Sequence, residues 1–146
     1  MQSYSYFEQE GDQQQQVEQV LLEDEIWTRI RIDHGRLPVG KIKILPGLFH
    51  SRMKHKSIQA HKATASLEEK GHVLSYQLVY DKGGRSLKID FGKDFPHQIL
   101  SWEERSAGIG GKILTTKASL DKSLMTDYWS RNRPSDIYLR DSLNLN

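Results

Sequence analysis

The chain has 146 residues, 36% apolar and 27% charged, with a net charge of +2 and a mean hydropathy of −0.67. That length fits one domain with one modest core, and three Trp, six Tyr and four Phe exclude a disordered chain. Cysteine is absent, which excludes disulfides, thiolate metal sites and cysteine nucleophiles, and no apolar run is long enough for a transmembrane helix.

The charge is unevenly spread. Residues 1–26 hold seven acids and no base, whereas residues 27–62 hold nine bases, one acid (Asp33) and four of the six histidines. Such asymmetry suits either an anion-binding surface or two stretches that neutralise each other. The net charge is too small to imply nucleic acid, and aromatics do not interleave with the basic stretch, so no nucleic-acid partner is expected.

Tyr4, Tyr6 and Phe7 suit a short strand closed by Gly11-Asp12. Residues 1–16 are rich in Tyr, Gln and Glu and carry no export-signal pattern. Val17, Val20, Leu21 and Leu22 fit a strand or a helix entry equally, so residues 13–23 stay open. From Asp24, a plausible N-cap, the spacing Ile26, Trp27, Ile30 predicts a helix ending by Gly35. Pro38 and Gly40, then Leu45-Pro46-Gly47, read as turns. Residues 48–67 read as a strand bent near Ser57, with Ala63, Ala65 and Leu67 alternating against Thr64 and Ser66.

The clearest signal follows. Residues 72–80 put Leu74, Tyr76, Leu78 and Tyr80 on one face, and Asp81-Lys82-Gly83-Gly84 is a hairpin turn. Residues 85–91 alternate again with Leu87, Ile89 and Phe91. After a turn at 92–96, residues 97–103 carry Gln98, Leu100 and Trp102. Gly108–Gly111 turns the chain into a last strand at 112–120. This is an antiparallel meander. Asp121 then caps a helix carrying Leu124, Met125, Tyr128 and Trp129, and Pro134 opens a second with Tyr138, Leu139 and Leu143. The expected fold class is mainly β: residues 1–146 as one domain, a curved antiparallel sheet or incomplete barrel with two or three short helices.

No motif carries strong chemistry. Ser51/Lys54 and Ser119/Lys122 match Ser-x-x-Lys, but 14 Ser and 12 Lys make such a match unremarkable by chance, and in strands i and i+3 point apart. Gly108–Gly111 lacks the following helix that a phosphate cradle needs. His50, His55 and His61 lack a zinc constellation and read as structural or solvent-facing. No metal, cofactor or catalytic residue is assigned. Arg52, Lys54 and Lys56, placed on one side of a strand, form a basic stripe suited to a phosphate head group or another anion.

The segments SYFEQEGDQ (5–13), LLEDEIWTRIRIDHGRLPVG (21–40), RMKHK (52–56), FPHQILSWEE (95–104), LTTKA (114–118) and DYWSRNRPSDIYLRDSL (127–143) resemble a Bacteroidetes family of unassigned role whose members often carry the label "septum formation inhibitor Maf". Maf nucleotide pyrophosphatases carry an N-terminal Ser-x-Ser-Pro-Arg-Arg type loop. This chain has no such run, no Arg before Arg29 and no alternating βα pattern, so the pyrophosphatase activity does not transfer. Family members are longer and begin with an export signal. The resemblance therefore implies the C-terminal part of a longer, extracytoplasmic (periplasmic) protein.

Two functional expectations follow. The first is a non-enzymatic cell-envelope protein binding a lipid-like or anionic small molecule, with Tyr76, Tyr80 and Trp102 (beside Leu78 and Leu100) lining the sheet's concavity and Arg52, Lys54 and Lys56 at its rim. The second is a structural or protein-interaction domain with no small ligand, for which a homodimer is the expected partner arrangement.

Overall fold

The computed structural model describes residues 2–3, 13–14 and 16–145. β1 (Gln2–Ser3) and β2 (Gln13–Gln14) pair antiparallel as a separate two-stranded ladder. The strand expected at Tyr4–Phe7 and its turn at Gly11-Asp12 lie outside the described residues. β3 (Leu21–Leu22) leads into α1 (Glu23–Asp33), a 3₁₀ turn (His34–Arg36) and β4 (Gly40–Leu45). α2 (Leu48–Met53) precedes β5 (His61–Lys70), β6 (Val73–Tyr80), β7 (Ser86–Gly92), β8 (Ile99–Ala107) and β9 (Ile113–Ser119). The strands β3 to β9 form one sheet in chain order, antiparallel except for β3 against β4. The sheet curls into a half-barrel, and the molecule is mainly β.

Alternation explains the curl's two faces. Leu74, Tyr76, Leu78 and Tyr80 of β6 stand beside Leu87, Ile89 and Phe91 of β7 and Ala63 and Ala65 of β5, and all are buried. Against this inner face lies α1, whose Ile26 and Ile30 are one helical turn apart and wholly buried. Burying each such isoleucine is worth roughly 1.5–3 kcal/mol. Trp27 meets Trp102 edge-on at 6.2 Å, fastening the helix to β8. Tyr76 closes the far side by donating its hydroxyl to Pro38 O at 2.9 Å. Burial pushes that phenol up to about 12.

Four expectations need correction. Asp24 does not cap α1: the helix starts one residue earlier, and the Glu25 carboxylate reaches back to the Leu22 amide. Asp24 instead accepts the Leu48 N–H at 3.0 Å, and so caps α2 from outside. That external cap, with Pro46-Gly47 before it, makes residues 48–53 helical where a strand was expected. The segment 40–45 is a strand rather than the link between two turns, as its Lys41-Ile42-Lys43-Ile44 alternation allows. The first tail helix is absent: residues 120–127 are irregular, and only a 3₁₀ turn, Tyr128–Ser130, follows. A short helix without a surface to pack on does not hold in water. The second tail helix exists as a 3₁₀ turn (Pro134–Asp136) running into α3 (Tyr138–Ser142). The open segment 13–23 resolves into β2, irregular chain and β3.

The outer face is polar, with one knot. Asp90 accepts from Ser75 Oγ (2.6 Å), Lys88 Nζ (3.0 Å) and Ser101 Oγ (3.0 Å), linking three adjacent strands. Burial works to raise this carboxyl, but the three donors outweigh it and hold it below its ordinary value. A depressed folded value stabilises the fold above about pH 3.9, and that stabilisation drains away as pH falls through the folded value. Asp90→Asn should cost about 1 kcal/mol at neutral pH. It should also flatten the acid limb of the urea midpoint measured against pH. An unchanged acid limb would mean that other carboxylates set it.

Candidate functional site

Glu23, the first residue of α1, is acidic and yet buried. The reason stands opposite: Arg85, at the start of the β7 hairpin arm, is equally buried and meets Glu23 through two guanidinium nitrogens, with Nη2 2.6 Å from Oε1. The third nitrogen, Nε, donates to Glu104 Oε1 of β8 at 2.9 Å. Tyr80 donates its hydroxyl to Glu23, and its ring lies 5.0 Å from the guanidinium carbon. His50 of α2 is 3.1 Å from Glu104 through Nδ1.

The electrostatics are self-consistent. Burial opposes the charge on Arg85, but its bonds to Glu23 more than compensate and keep it protonated. Burial, then the neighbouring Glu23, holds the Tyr80 phenol protonated. Burial, with Arg85 next, lowers His50 below its ordinary value against the pull of Glu104. A neutral His50 then carries its proton on Nδ1, where it donates to Glu104. Gly47 gives the cluster its space, since a Cβ there would stand 2.8 Å from Glu23 Oε1 and 3.1 Å from Asp24 Oδ1. The arrangement is a satisfied ion-pair network, with every guanidinium nitrogen occupied by a carboxylate. It suits fastening α1 and α2 onto the sheet rather than proton transfer to a substrate.

The expected site residues divide. Tyr76 is core, Trp102 packs on Trp27, and Tyr80 belongs to the ion-pair network, so α1 covers the aromatic row that was expected to line a concavity. Arg52, Lys54 and Lys56 do not share a strand face: Arg52 is in α2, Lys54 ends it, and Lys56 lies past His55, whose φ is 48°. Ser51 and Lys54 consequently sit on or beside a helix, not a strand, but no hydrogen bond joins them. His50, His55 and His61 do not gather, and among the described residues no three His, Asp or Glu side chains converge as a metal site. Sequence reasoning missed Glu23, Arg85 and Glu104.

A narrow cleft of about 30 Å³ opens beside the network, between the end of α2 and the β6–β7 hairpin. Lys56 and Lys82 flank it, with Ser51, Ser57 and His61 around them.

The other exposed feature follows β9. Residues 120–145 turn Met125 (94% exposed) and Trp129 (88%) to solvent, together with Tyr128, Ile137 and Tyr138. Arg131 pairs with Asp127 at 2.7 Å and with Asp136 at 3.7 Å, which folds this segment on itself. No protein-family model, no curated protein and no solved structure matches the chain. Among the described residues, no helix is long and apolar enough to cross a membrane.

Proposed function

We propose that this chain is a non-enzymatic interaction domain that associates with a second copy of itself along β9 and the segment after it. The observation that carries this reading is the exposed aromatic and apolar set at 124–138 that follows β9 in the chain, β9 being the last strand of the sheet with no further strand on its outer side among the described residues. Single exposed apolar residues are ordinary, whereas a group including a nearly bare tryptophan that follows an edge strand marks a contact surface.

The β9 sequence suits self-pairing. A two-fold axis at Thr116 would set Thr115 opposite Lys117, Leu114 opposite Ala118 and Ile113 opposite Ser119. No like charges face each other, and Lys117 is already paired with Glu103 at 2.7 Å. A carrier of a lipid-like ligand, by contrast, would need an open inner face, and α1 occupies that face. An extracytoplasmic location rests on the family resemblance alone.

Native mass spectrometry tests the reading. A dimer is expected at micromolar concentration, and the double variant Tyr128→Ser/Trp129→Ser should return it to a monomer with unchanged thermal stability. A monomer for the unaltered protein overturns the proposal. A retained acyl-chain-bearing molecule lost on denaturation would also overturn it, in favour of the carrier.

A further inference from the structure

We propose that the cleft between α2 and the β6–β7 hairpin is an oxyanion site for a dianionic phosphoryl group, held by Lys56 and Lys82. The backbone builds both walls. On one side Lys56 N donates to Ser51 O at 2.9 Å and His55 N to Arg52 O at 3.1 Å, which fixes the turn that carries Lys56. On the other, Tyr80 N donates to Arg85 O at 3.0 Å and Asp81 N to Lys62 O at 3.1 Å, which fixes the base of the hairpin. The turn between has Gly83 at φ 89° and Gly84 at φ 59°. The Lys56 amine lies beside this turn, 3.8 Å from where a Cβ on Gly83 would stand.

Charge selects the ligand. The buried network behind the cleft carries a net charge of −1, because Glu23 and Glu104 together meet one guanidinium and burial disfavours protonation of His50, so any positive charge at the cleft comes from the lysines on its walls. Among the described residues no ion pair joins Lys56 or Lys82 to a carboxylate, nor Arg52, Lys54 and Lys62 nearby; Glu23 and Glu104 are taken up by Arg85, and Asp81 stands in the hairpin turn. Elsewhere Lys43, Lys70, Lys88, Arg105 and Lys117 on the strands and Lys93 just past β7 each have a carboxylate partner, whereas no ion pair joins Lys41 to a carboxylate among the described residues. Lys56 and Lys82 line one cleft together with the hydroxyls of Ser51 and Ser57, and a phosphoryl dianion accepts charge-assisted hydrogen bonds from both ammonium groups. The cleft is small, about 30 Å³, which suits the oxygens of a phosphoryl group better than an acyl chain.

The chemistry is shared by a free phosphate monoester and by a phospholipid head group, and two probes separate them. Inorganic phosphate titrated into the labelled protein should saturably shift the Gly83 amide and His61 ring resonances. In Lys56→Gln/Lys82→Gln the affinity should fall roughly tenfold or more. Lys70→Gln, at the β5–β6 turn on the opposite end of the sheet, is the control and should match the unaltered protein. Flotation with phosphatidylcholine vesicles, with and without phosphatidic acid, then assigns the source. Acid-dependent capture lost in the double variant means a head group, and phosphate binding without capture means a soluble monoester. Absence of phosphate-dependent shifts, or equal shifts in the double variant, overturns the site. Neither outcome depends on whether the chain dimerises.

Discussion

Arg85→Met should lower the unfolding free energy by about 3–5 kcal/mol. The side chain it removes is the buried partner of Glu23, and without it a carboxylate at the start of α1 has only the Tyr80 hydroxyl left to answer it. A domain of this size has about 5–15 kcal/mol in total, so the variant should stand near the edge of folding at room temperature. Chemical denaturation in urea reads the loss. The double variant Glu23→Gln/Arg85→Met should recover a substantial part, because a neutral amide costs far less to bury than an unpaired carboxylate. If the double variant is no better than the single one, the deficit comes from lost packing of the arginine stem and not from the orphaned charge.

The second large effect is two turns further along the same face of α1. Ile30→Ala should cost about 2–5 kcal/mol, because the isoleucine is wholly buried between the helix and the inner face of β6 and β7. Ile32, two residues further on, is 75% exposed. Its replacement by Ala should stay within about 0.5 kcal/mol. The contrast in urea midpoint between these two neighbours tests whether α1 fills the half-barrel. Equal costs would mean that the helix does not sit in the sheet as described.

The meander from β5 to β9 was legible because its strands alternate over many residues and its hairpins contain glycine. β4 was equally regular at Lys41–Ile44, but the flanking Pro38, Gly40 and Pro46 read as two turns with nothing between them. α2 was hidden for a different reason. Its helix is set by Asp24, a residue 24 positions away whose carboxylate receives the Leu48 amide. No local pattern in residues 48–53 contains that information. The ion-pair network was illegible on the same ground: Glu23 and Arg85 are 62 positions apart and meet only because the sheet curls around α1. A lone glutamate at a helix start is ordinary. The arginine beside Gly83-Gly84 was the one residue whose neighbourhood hinted at a fixed position. Composition singles out the basic residues 52–56, but the strand expected there sets Arg52, Lys54 and Lys56 on one face, whereas the helix and the turn after it set Lys56 at the cleft that Lys82 also lines.

The order of strands across the sheet, identical to their order along the chain from β3 to β9, also shapes how the molecule forms. From β5 onward each new strand finds its neighbour through a short loop, so little closure entropy opposes the growth of the sheet. The exception is α1. During synthesis α1 emerges well before β6 and β7, and Ile26 and Ile30 have nothing to rest on until those strands arrive. A chain assembled this way completes its hairpins before it seats its helix. Losses at Arg85 and Ile30 would then appear mainly as faster unfolding rather than slower folding.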